Sequence, residues 1–370
     1  MTHAPKPSSL APDQTDGLEG IVVAHTQLSH IDGTKGRLIV KGVPVEDLAG
    51  EMCFEDAVAH LWAGQVDEDR AEPSLQPVFG KARQSAFSVV PTLLSCRQEP
   101  LSRMDRLALG LAALPITPDM PESIQITGAF PVLVSAAARI ASGQDPVKPD
   151  PSLSTAADFL RMMTGAKPEQ WAIDGLNRYL VTILDHGLNA STFTARVVAS
   201  TRADVKYAVL AALGALSGPL HGGAPGPVLD MLDAVGSPDN AEKWISERLS
   251  GGHRLMGFGH RIYRTRDPRA DVLKSGLRAL AKTERLILAE AVEEAALRGL
   301  KAAKPNRQID TNVEFYTAVL LDALGIDRTL FTPLFAMGRV AGWCAHTAEQ
   351  KRTGKLIRPS SVYVGPMPDL

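Results

Sequence analysis

The chain has 370 residues, of which 45% are hydrophobic and only 5% aromatic. That length is enough for one large domain or two unequal ones, with a core made mostly of Ala, Leu, Val and Ile. A formal net charge of −2 gives no electrostatic case for binding nucleic acid or an anionic membrane. Cys53, Cys96 and Cys344 are too widely spaced for a zinc site or a disulfide framework. These features favour a cytoplasmic globular protein.

The N-terminal part contains a predicted flexible tail and the one predicted β region. Residues 1–16 are polar and rich in proline, and they lack the apolar stretch of a signal peptide. Residues 17–48 form the predicted β region. Within them, residues 21–23 and 37–41 are short β-branched runs, and residues 31–36 supply the turn residues between the runs.

Beyond residue 48 the pattern is helical almost throughout. Residues 54–64 are amphipathic, whereas residues 123–142 and 205–217 are apolar nearly all round, which is typical of buried helices. Small residues recur on one helix face from Gly338 to Ala345 and predict close helix packing. The sequence has no continuous run of about 18 apolar residues, so we expect no membrane span. Because strands and helices do not alternate, the pattern excludes a Rossmann or P-loop fold.

Two histidines lie in glycine-rich loops. His221 stands between Pro219 and two glycines, and His260 follows Gly257-Phe258-Gly259. The proline lacks a backbone donor, and the glycines let a ligand approach the main chain closely. Two imidazoles in such loops indicate a pair of proton-transfer groups. The alternative is that each loop is a tight turn whose histidine only caps a helix.

Arg269 follows His260 by nine residues. Asp267 is the predicted N-cap of a helix and Pro268 its first residue, so Arg269 lies in the first turn. The helix dipole at this N-terminal end favours binding of an anion, in addition to the positive charge of Arg269. The alternative is a solvated arginine on an exposed helix.

Three further charged residues have different local contexts. Thr311 and Glu314 have the spacing of a capping box, and spacing alone favours that structural role over a catalytic carboxylate. Arg339 lies inside an otherwise apolar helix, which predicts burial beside an anionic partner. Arg358, in a C-terminal segment, is uninformative by itself.

Taken together, these segments resemble the citrate synthase family over residues 17–365. The motifs occur in the family's order, at residues 31–33 with 36–38, 185–193, 218–223, 257–263, 267–269, 312–316, 338–339 and 358–359. The resemblance implies a mostly α-helical, two-domain fold with a small N-terminal β region. Its large domain would comprise residues 17–222 and 326–370, and its small domain residues 223–325. It also implies a homodimer whose cleft closes on substrate.

The implied reaction condenses an acyl-CoA with oxaloacetate and then hydrolyses the thioester, without a metal or a redox cofactor. By matching motif, Glu314 is the base that removes the thioester α-proton. His221 donates a hydrogen bond to the thioester oxygen, and His260 polarises or protonates the ketone oxygen of oxaloacetate.

The resemblance also implies which residues bind the two substrates. His186, Arg269, Arg339 and Arg358 would hold the carboxylates of oxaloacetate, with Arg358 supplied by the partner subunit. The implied CoA contacts are Leu255, Met256, Gly257, Phe258, Gly259 and Arg264.

One position departs from the family's commonest pattern, because Glu314 stands where aspartate is usual. The extra methylene moves the carboxylate by ~1.5 Å. A misplacement of about 1 Å can lower a rate on the order of 100-fold, so the backbone must retreat or the side chain must fold back. The substitution keeps the capping-box alternative open.

Three rival functions remain at this stage. Propionyl-CoA, giving 2-methylcitrate, competes with acetyl-CoA because one methylene in an apolar pocket is worth only about 1–3 kcal/mol. A non-catalytic relative that binds CoA or citrate is a second rival, although both histidines and all three arginines are present. A metal-dependent hydrolase using His186, His221 and Glu314 lacks a His pair at i and i+4.

Overall fold

The computed structural model describes residues 16–18, 20–66, 74–221, 225–280, 284–363 and 365–368. The fold is mostly α-helical, as predicted, with one three-stranded sheet near the N-terminus. The predicted flexible tail lies outside the described residues except for Asp16. Within the described part of the chain, no disulfide bond joins Cys53, Cys96 or Cys344.

The helices in chain order are α1 (Val45–Glu51), α2 (Phe54–Trp62), α3 (Leu75–Ala86), α4 (Val90–Ser95), α5 (Arg103–Ala113), α6 (Glu122–Ala141), α7 (Thr155–Thr164), α8 (Gln170–Thr182), α9 (Ala190–Ser200), α10 (Val205–Leu216), α11 (Pro225–Val235), α12 (Ala241–Ser250), α13 (Pro268–Leu280), α14 (Glu284–Ala303), α15 (Val313–Ala323) and α16 (Phe331–Thr353). Short 3-10 turns occupy Asp16–Leu18, Phe87–Val89, Pro238–Asn240 and Arg328–Leu330.

The sheet is antiparallel and consists of β1 (Ser29–Asp32), β2 (Arg37–Val40) and β3 (Val43–Pro44). The prediction of a β run at residues 21–23 is wrong, because these residues have no regular structure. Ile21 and Val22 are 47% and 76% exposed, and no strand in the described part of the chain pairs with them. The first strand is instead β1, which includes residues 31 and 32 from the start of the predicted turn.

Helix α6 forms the centre of the first helical group. It is buried along most of its length and packs against α3, α5, α7 and α16, which confirms the predicted buried helix. It is also the one described helix long and apolar enough to cross a membrane by composition, but 89% of the relevant window is buried inside the protein.

Helix α16 packs against α8, α9 and α10, and its small residues permit the close approach that the sequence predicts. A Cβ atom on Gly342 would lie 2.5 Å from the carbonyl oxygen of Leu184. A Cβ atom on Gly338 would lie 2.5 Å from Ile183. Glycine at these positions therefore sets residues 183–186 directly against α16.

A second helical group contains α11 to α15. In it, α12 packs on α14, while α11 and α13 pack on α15. Helix α13 also contacts α1 and α8 of the first group. This group falls within the predicted small domain, whose boundaries at residues 223 and 325 stay a prediction.

Candidate active site

A cleft of about 700 Å³ lies between the two helical groups. Six of the seven residues predicted for catalysis and oxaloacetate binding line it, namely His186, His221, His260, Arg269, Glu314 and Arg339. The seventh, Arg358, is exposed in the C-terminal segment and does not line the cleft.

The loop that carries His260 is tied to the segment that begins α15. Asn312 donates its backbone N–H to Gly257 O at 2.9 Å, and Gly259 donates its backbone N–H to Asp310 O at 2.8 Å. Gly257 has a φ of 84°, and a Cβ atom there would lie 2.8 Å from Phe315, so only glycine fits. The pairing brings His260 and Glu314 to the same cleft.

The hydrogen bonds of His260 define its tautomer. Nδ1 accepts the backbone N–H groups of Ile262 and Tyr263 at 3.0 and 3.1 Å, so the ring proton is on Nε2. Burial, helped by the charge of Arg269, lowers the pKa of His260 to about 4, and the ring is neutral at pH 7. Nδ1 therefore closes a turn of residues 260–263 and does not cap a helix, while Nε2 remains a donor for the cleft.

Arg269 is held in the first turn of α13, where the sequence places it. Asp267 accepts its backbone N–H at 3.1 Å, which is the predicted N-cap bond, and also pairs with its guanidinium. The alternative of a solvated arginine is wrong, since Arg269 is only 4% exposed. Its Nη2 lies 3.5 Å from Nε2 of His260. Two donors at that distance suit one shared oxygen acceptor.

His186 is positioned by the buried carboxylate of Asp185. This carboxylate lies 3.1 Å from Nε2 of His346 and accepts hydrogen bonds from Ser29 Oγ and the Gly187 N–H. Burial would raise the pKa of Asp185, but His346 and the other donors lower it to about 2. The neighbouring His186 is kept neutral, because burial and then Arg269 lower its pKa well below its ordinary range.

His221 contacts a hydroxyl on the first turn of α9. Its Nε2 lies 2.8 Å from Ser191 Oγ, and Trp343 donates its indole N–H to the same oxygen at 3.2 Å. Burial and then Arg339 lower the pKa of His221 to about 4, so the ring is neutral. Among the described residues, the contact of its side chain is with this hydroxyl. The adjacent Gly222 and Gly223 lie outside the described residues.

Arg339 is buried, as predicted, but its expected anionic partner is missing among the described residues. Nε donates to Ile183 O at 2.7 Å, and the guanidinium lies 4.8 Å from the ring centroid of Phe335. Nη2 is buried without a hydrogen-bond partner in the described part of the chain. Burial lowers the pKa of Arg339 to about 10, so it is a cation with an unused donor.

The capping-box prediction for Glu314 is wrong. The N-cap of α15 is Asn312, whose Oδ1 accepts the Glu314 N–H at 3.0 Å. Thr311 instead donates its hydroxyl to Glu293 at 2.7 Å. The Glu314 side chain is thus free to line the cleft, and burial, strengthened by Asp267, raises its pKa to about 7.

A basic groove of about 580 Å³ adjoins the cleft, and His260 and Arg261 line both. Of the predicted CoA residues, Leu255, Phe258, Gly259 and Arg264 line the groove, whereas Met256 and Gly257 do not. The lining also includes His253, Arg254, Lys304 and Arg307, and it contains no carboxylate. Such a groove suits a ligand with several phosphate charges.

Four positioning residues were missed by the sequence analysis. Asp185 and Ser191 stand inside the motif of residues 185–193, and Asp267 had been identified only as a helix cap. Tyr263, the last residue of the motif of residues 257–263, places its hydroxyl 3.1 Å from Nε2 of His186.

A sequence model described as citrate synthase, C-terminal domain, matches residues 17–360. The chain belongs to the citrate synthase family. Citrate synthase of Haloferax volcanii is 35% identical over an alignment of 367 positions, which covers 94% of this chain and 95% of that protein. Family membership, the mostly α-helical fold and an acyltransferase type of enzyme, all predicted from the sequence, are thereby confirmed.

Two solved citrate synthases have the same fold. The crystal structure from Thermotoga maritima MSB8 superposes with a TM-score of 0.83 at 35% identity, covering 96% of this chain and 97% of the other. The enzyme from Thermoplasma acidophilum, solved in a ternary complex with carboxymethyl coenzyme A and oxaloacetate, has a TM-score of 0.82 at 29% identity, and the match covers 96% of this chain and 97% of the other.

Proposed function

We propose that this citrate synthase family member condenses acetyl-CoA with oxaloacetate and water to give citrate and CoA. The observation that carries the proposal is the convergence of His221, His260 and Glu314 with Arg269 and Arg339 in one cleft. The Thermoplasma relative, which was solved with a CoA analogue and oxaloacetate, supports a two-substrate cleft.

The first step removes a proton from the methyl group of the acetyl thioester. The C–H bond breaks, the proton passes to Glu314, and the electron pair forms an enolate. A pKa of about 7 suits a base that works near neutral pH. The Ser191 hydroxyl donates to Asn189 Oδ1 at 2.8 Å in this structure. If it turns to donate to Nε2 of His221 instead, the ring proton is on Nδ1, and Nδ1–H donates a hydrogen bond to the enolate oxygen.

In the second step the enolate carbon attacks the ketone carbon of oxaloacetate. The ketone oxygen receives the electron pair, and Nε2–H of His260 beside Arg269 stabilises the alkoxide. His186, Arg269 and Arg339 hold the carboxylates, and the unused Nη2 donor of Arg339 supports that role. Water then cleaves the citryl thioester to citrate and the CoA thiol. These steps use no metal and no redox cofactor.

The basic groove provides the binding site for CoA in this proposal. Its cations, including Arg254, Arg264 and Arg307, match the phosphates of CoA, and the shared His260 and Arg261 connect the groove to the reacting thioester. The loop after Gly257 would contact the adenine.

The proposal includes a homodimer with shared sites. Arg358 is exposed and lies outside the cleft of its own chain, which supports the resemblance-based assignment of this arginine to the partner's site. A cytoplasmic location also stays a prediction.

A thiol-release assay tests the function and the acyl donor. The enzyme is mixed with oxaloacetate and either acetyl-CoA or propionyl-CoA, and the products are identified by mass spectrometry. We expect kcat/KM to favour acetyl-CoA by about tenfold or more, as one methylene is worth about 1–3 kcal/mol. Reactions without oxaloacetate control for simple hydrolysis. A preference for propionyl-CoA would mean that the physiological product is 2-methylcitrate instead of citrate. The absence of oxaloacetate-dependent thiol release would refute the proposed reaction.

A further inference from the structure

His346 is a buried histidine that does not line the cleft, and the proposed chemistry gives it no role. It lies on α16, seven residues after Arg339, and is 0% exposed. Both of its ring nitrogens have buried partners. Nε2 lies 3.1 Å from Oδ1 of Asp185, and Nδ1 lies 3.0 Å from Nε of Arg196. A ring held between a carboxylate and a guanidinium has one orientation, and that orientation calls for an explanation.

Arg196 sets the tautomer of this ring. A guanidinium has N–H donors and no acceptor, so Nδ1 of His346 must accept and carries no proton. The ring proton is therefore on Nε2, which donates it to Asp185. Arg196 is itself held in place, because it is 1% exposed and its terminal N–H groups also donate to Glu349 and, at 3.0 Å, to Oε1 of Gln350. The packing of α9 on α16 thus fixes the donor that Asp185 receives.

The Asp185 carboxylate holds the backbone on both sides of His186. Its Oδ2 accepts the Gly187 N–H at 3.2 Å and the Ser29 hydroxyl at 2.5 Å. Ser29 Oγ also accepts the Gly187 N–H at 3.0 Å. Gly187 has a φ of 55°, the left-handed conformation that favours glycine. These bonds form a turn of residues 185–187, and His186 is its central residue.

The position of this turn decides what the His186 ring can contact. The ring lines the cleft, its Nε2 lies 3.1 Å from the Tyr263 hydroxyl, and its centroid lies 5.6 Å from that of His260. Hydrogen bonds weaken steeply with poor distance and angle. A displaced turn would therefore cost His186 its bond to a substrate carboxylate.

We propose that His346 is a positioning residue for His186. With its tautomer set by Arg196, it donates to Asp185 and holds the turn that directs the His186 ring at oxaloacetate. The inference rests on the proposed function, in which His186 binds a carboxylate of that substrate. His346 itself touches no substrate and acts through Asp185.

Two substitutions separate the hydrogen bonds of His346 from its bulk. His346→Leu removes both bonds, and we expect it to raise the oxaloacetate Kd about tenfold in calorimetric titration, the lower end for a hydrogen bond to a charge. His346→Gln offers an amide N–H to Asp185 and a carbonyl oxygen to Arg196. Its affinity should therefore return to within about threefold of the parent value.

Binding of free CoA to the same samples separates positioning from a general loss of structure. Neither His346 nor Asp185 lines the basic groove, so the Kd for CoA should stay within about twofold. The oxaloacetate KM should rise while kcat at saturation changes little, as expected when a binding contact is lost. His60→Leu is the matched control. His60 is a half-buried histidine on α2 outside the cleft and the groove, and its variant should bind both ligands normally.

A second variant loosens the same turn from the sheet. Ser29→Ala removes the hydroxyl that contacts both Asp185 and Gly187, and Ser29 is only half-buried on β1, so the interior of α16 is left intact. This variant should raise the oxaloacetate Kd by about threefold to tenfold. In a His186→Ala background, neither Ser29→Ala nor His346→Leu should weaken binding further.

Imidazole NMR spectra test the orientation of His186 without substrate or turnover. Its signal, identified by its loss in His186→Ala, should shift in His346→Leu and Ser29→Ala but not in His60→Leu. An unchanged signal would overturn the inference, and so would a parent-like oxaloacetate Kd in both variants of an enzyme that condenses its substrates normally. Equal losses of oxaloacetate and CoA binding would assign His346 to general stability and overturn it as well. A parent enzyme that binds no oxaloacetate would instead refute the proposed function, and the His186 signal would still decide whether His346 positions this ring.

Discussion

The guanidinium of Arg269 forms a two-pronged pair with Asp267, with Nε 3.0 Å from Oδ1 and Nη2 2.8 Å from Oδ2. Burial would lower the pKa of Arg269, but Asp267 raises it, so the cation is secured inside the site. The same Asp267 accepts the Val313 N–H at 3.1 Å at the start of α15. One carboxylate therefore fixes both the arginine proposed to bind substrate and the start of the helix that carries the proposed base.

This pair predicts that lysine cannot replace Arg269. A lysine lacks the planar fork that both matches Asp267 and leaves a donor beside His260. We expect Arg269→Lys to weaken oxaloacetate binding by roughly 10–100-fold, since a hydrogen bond to a charge is worth about 1.5–3 kcal/mol. Calorimetric titration measures the Kd. Arg278→Lys, on the same helix with a side chain 58% exposed, should bind normally, and equal affinities in both variants would contradict the prediction.

Glu314 is predicted to be a base rather than a cap. Glu314→Gln keeps the size but loses the proton acceptor, so turnover should fall by at least ~100-fold. In the parent, kcat should fall below pH 7, because the ionised form is needed and the pKa is about 7. Glu314→Asp should also lose activity through its shorter reach. An aspartate variant as fast as the parent would show that the backbone has not adjusted to glutamate.

The same carboxyl predicts a pH-dependent change in stability. Its pKa is raised from 4.5 to about 7 in the folded protein, so folding favours the protonated form. That contribution is fully present below pH 4.5 and is lost as the pH rises through 7. The melting temperature of Glu314→Gln relative to the parent should therefore increase between pH 4.5 and pH 8. A constant difference across that range would contradict the raised pKa.

The basic groove predicts a salt-sensitive defect in acyl-CoA binding. Arg264 is an exposed groove residue, and Arg264→Glu should raise the KM for acyl-CoA about tenfold at low salt, because a charge-assisted bond is replaced by repulsion. The defect should shrink at high ionic strength, where exposed charges are screened. The KM for oxaloacetate should not change. Arg298→Glu, at an exposed arginine outside the groove, is the control, and a similar defect there would argue against a specific site.

A shared active site predicts complementation between inactive subunits. Mixing Arg358→Ala with His221→Ala subunits should restore about one competent site per heterodimer, since each site of the proposed homodimer would take Arg358 from the other subunit. Heterodimers purified with two affinity tags are assayed for thiol release. Lys355→Ala, at a nearby exposed lysine, should be active without any mixing. Verified heterodimers without recovered activity would place Arg358 outside the partner's site.

The local signals in the sequence determined the elements that depend on a few neighbouring residues. Asp267 and Pro268 start α13 because an N-cap and a first-turn proline act within one turn. The glycine at residue 257 and the all-round apolar pattern of α6 likewise predicted a tight loop and a buried helix. The motif order then indicated the family and six of the residues that meet in the cleft.

Tertiary contacts decided the properties that depend on residues distant in the chain. The spacing of Thr311 and Glu314 suggested a capping box. In the structure the Thr311 hydroxyl instead donates a hydrogen bond to Glu293 on α14, and the Glu314 side chain lines the cleft. Residues 21–23 have strand-forming side chains but no partner strand. The complete burial of Tyr179 on α8 likewise arises only when this helix packs against α15 and α16. Hydrogen-bond partners and the pKa values of buried groups follow from such long-range packing, which short-range sequence patterns do not encode.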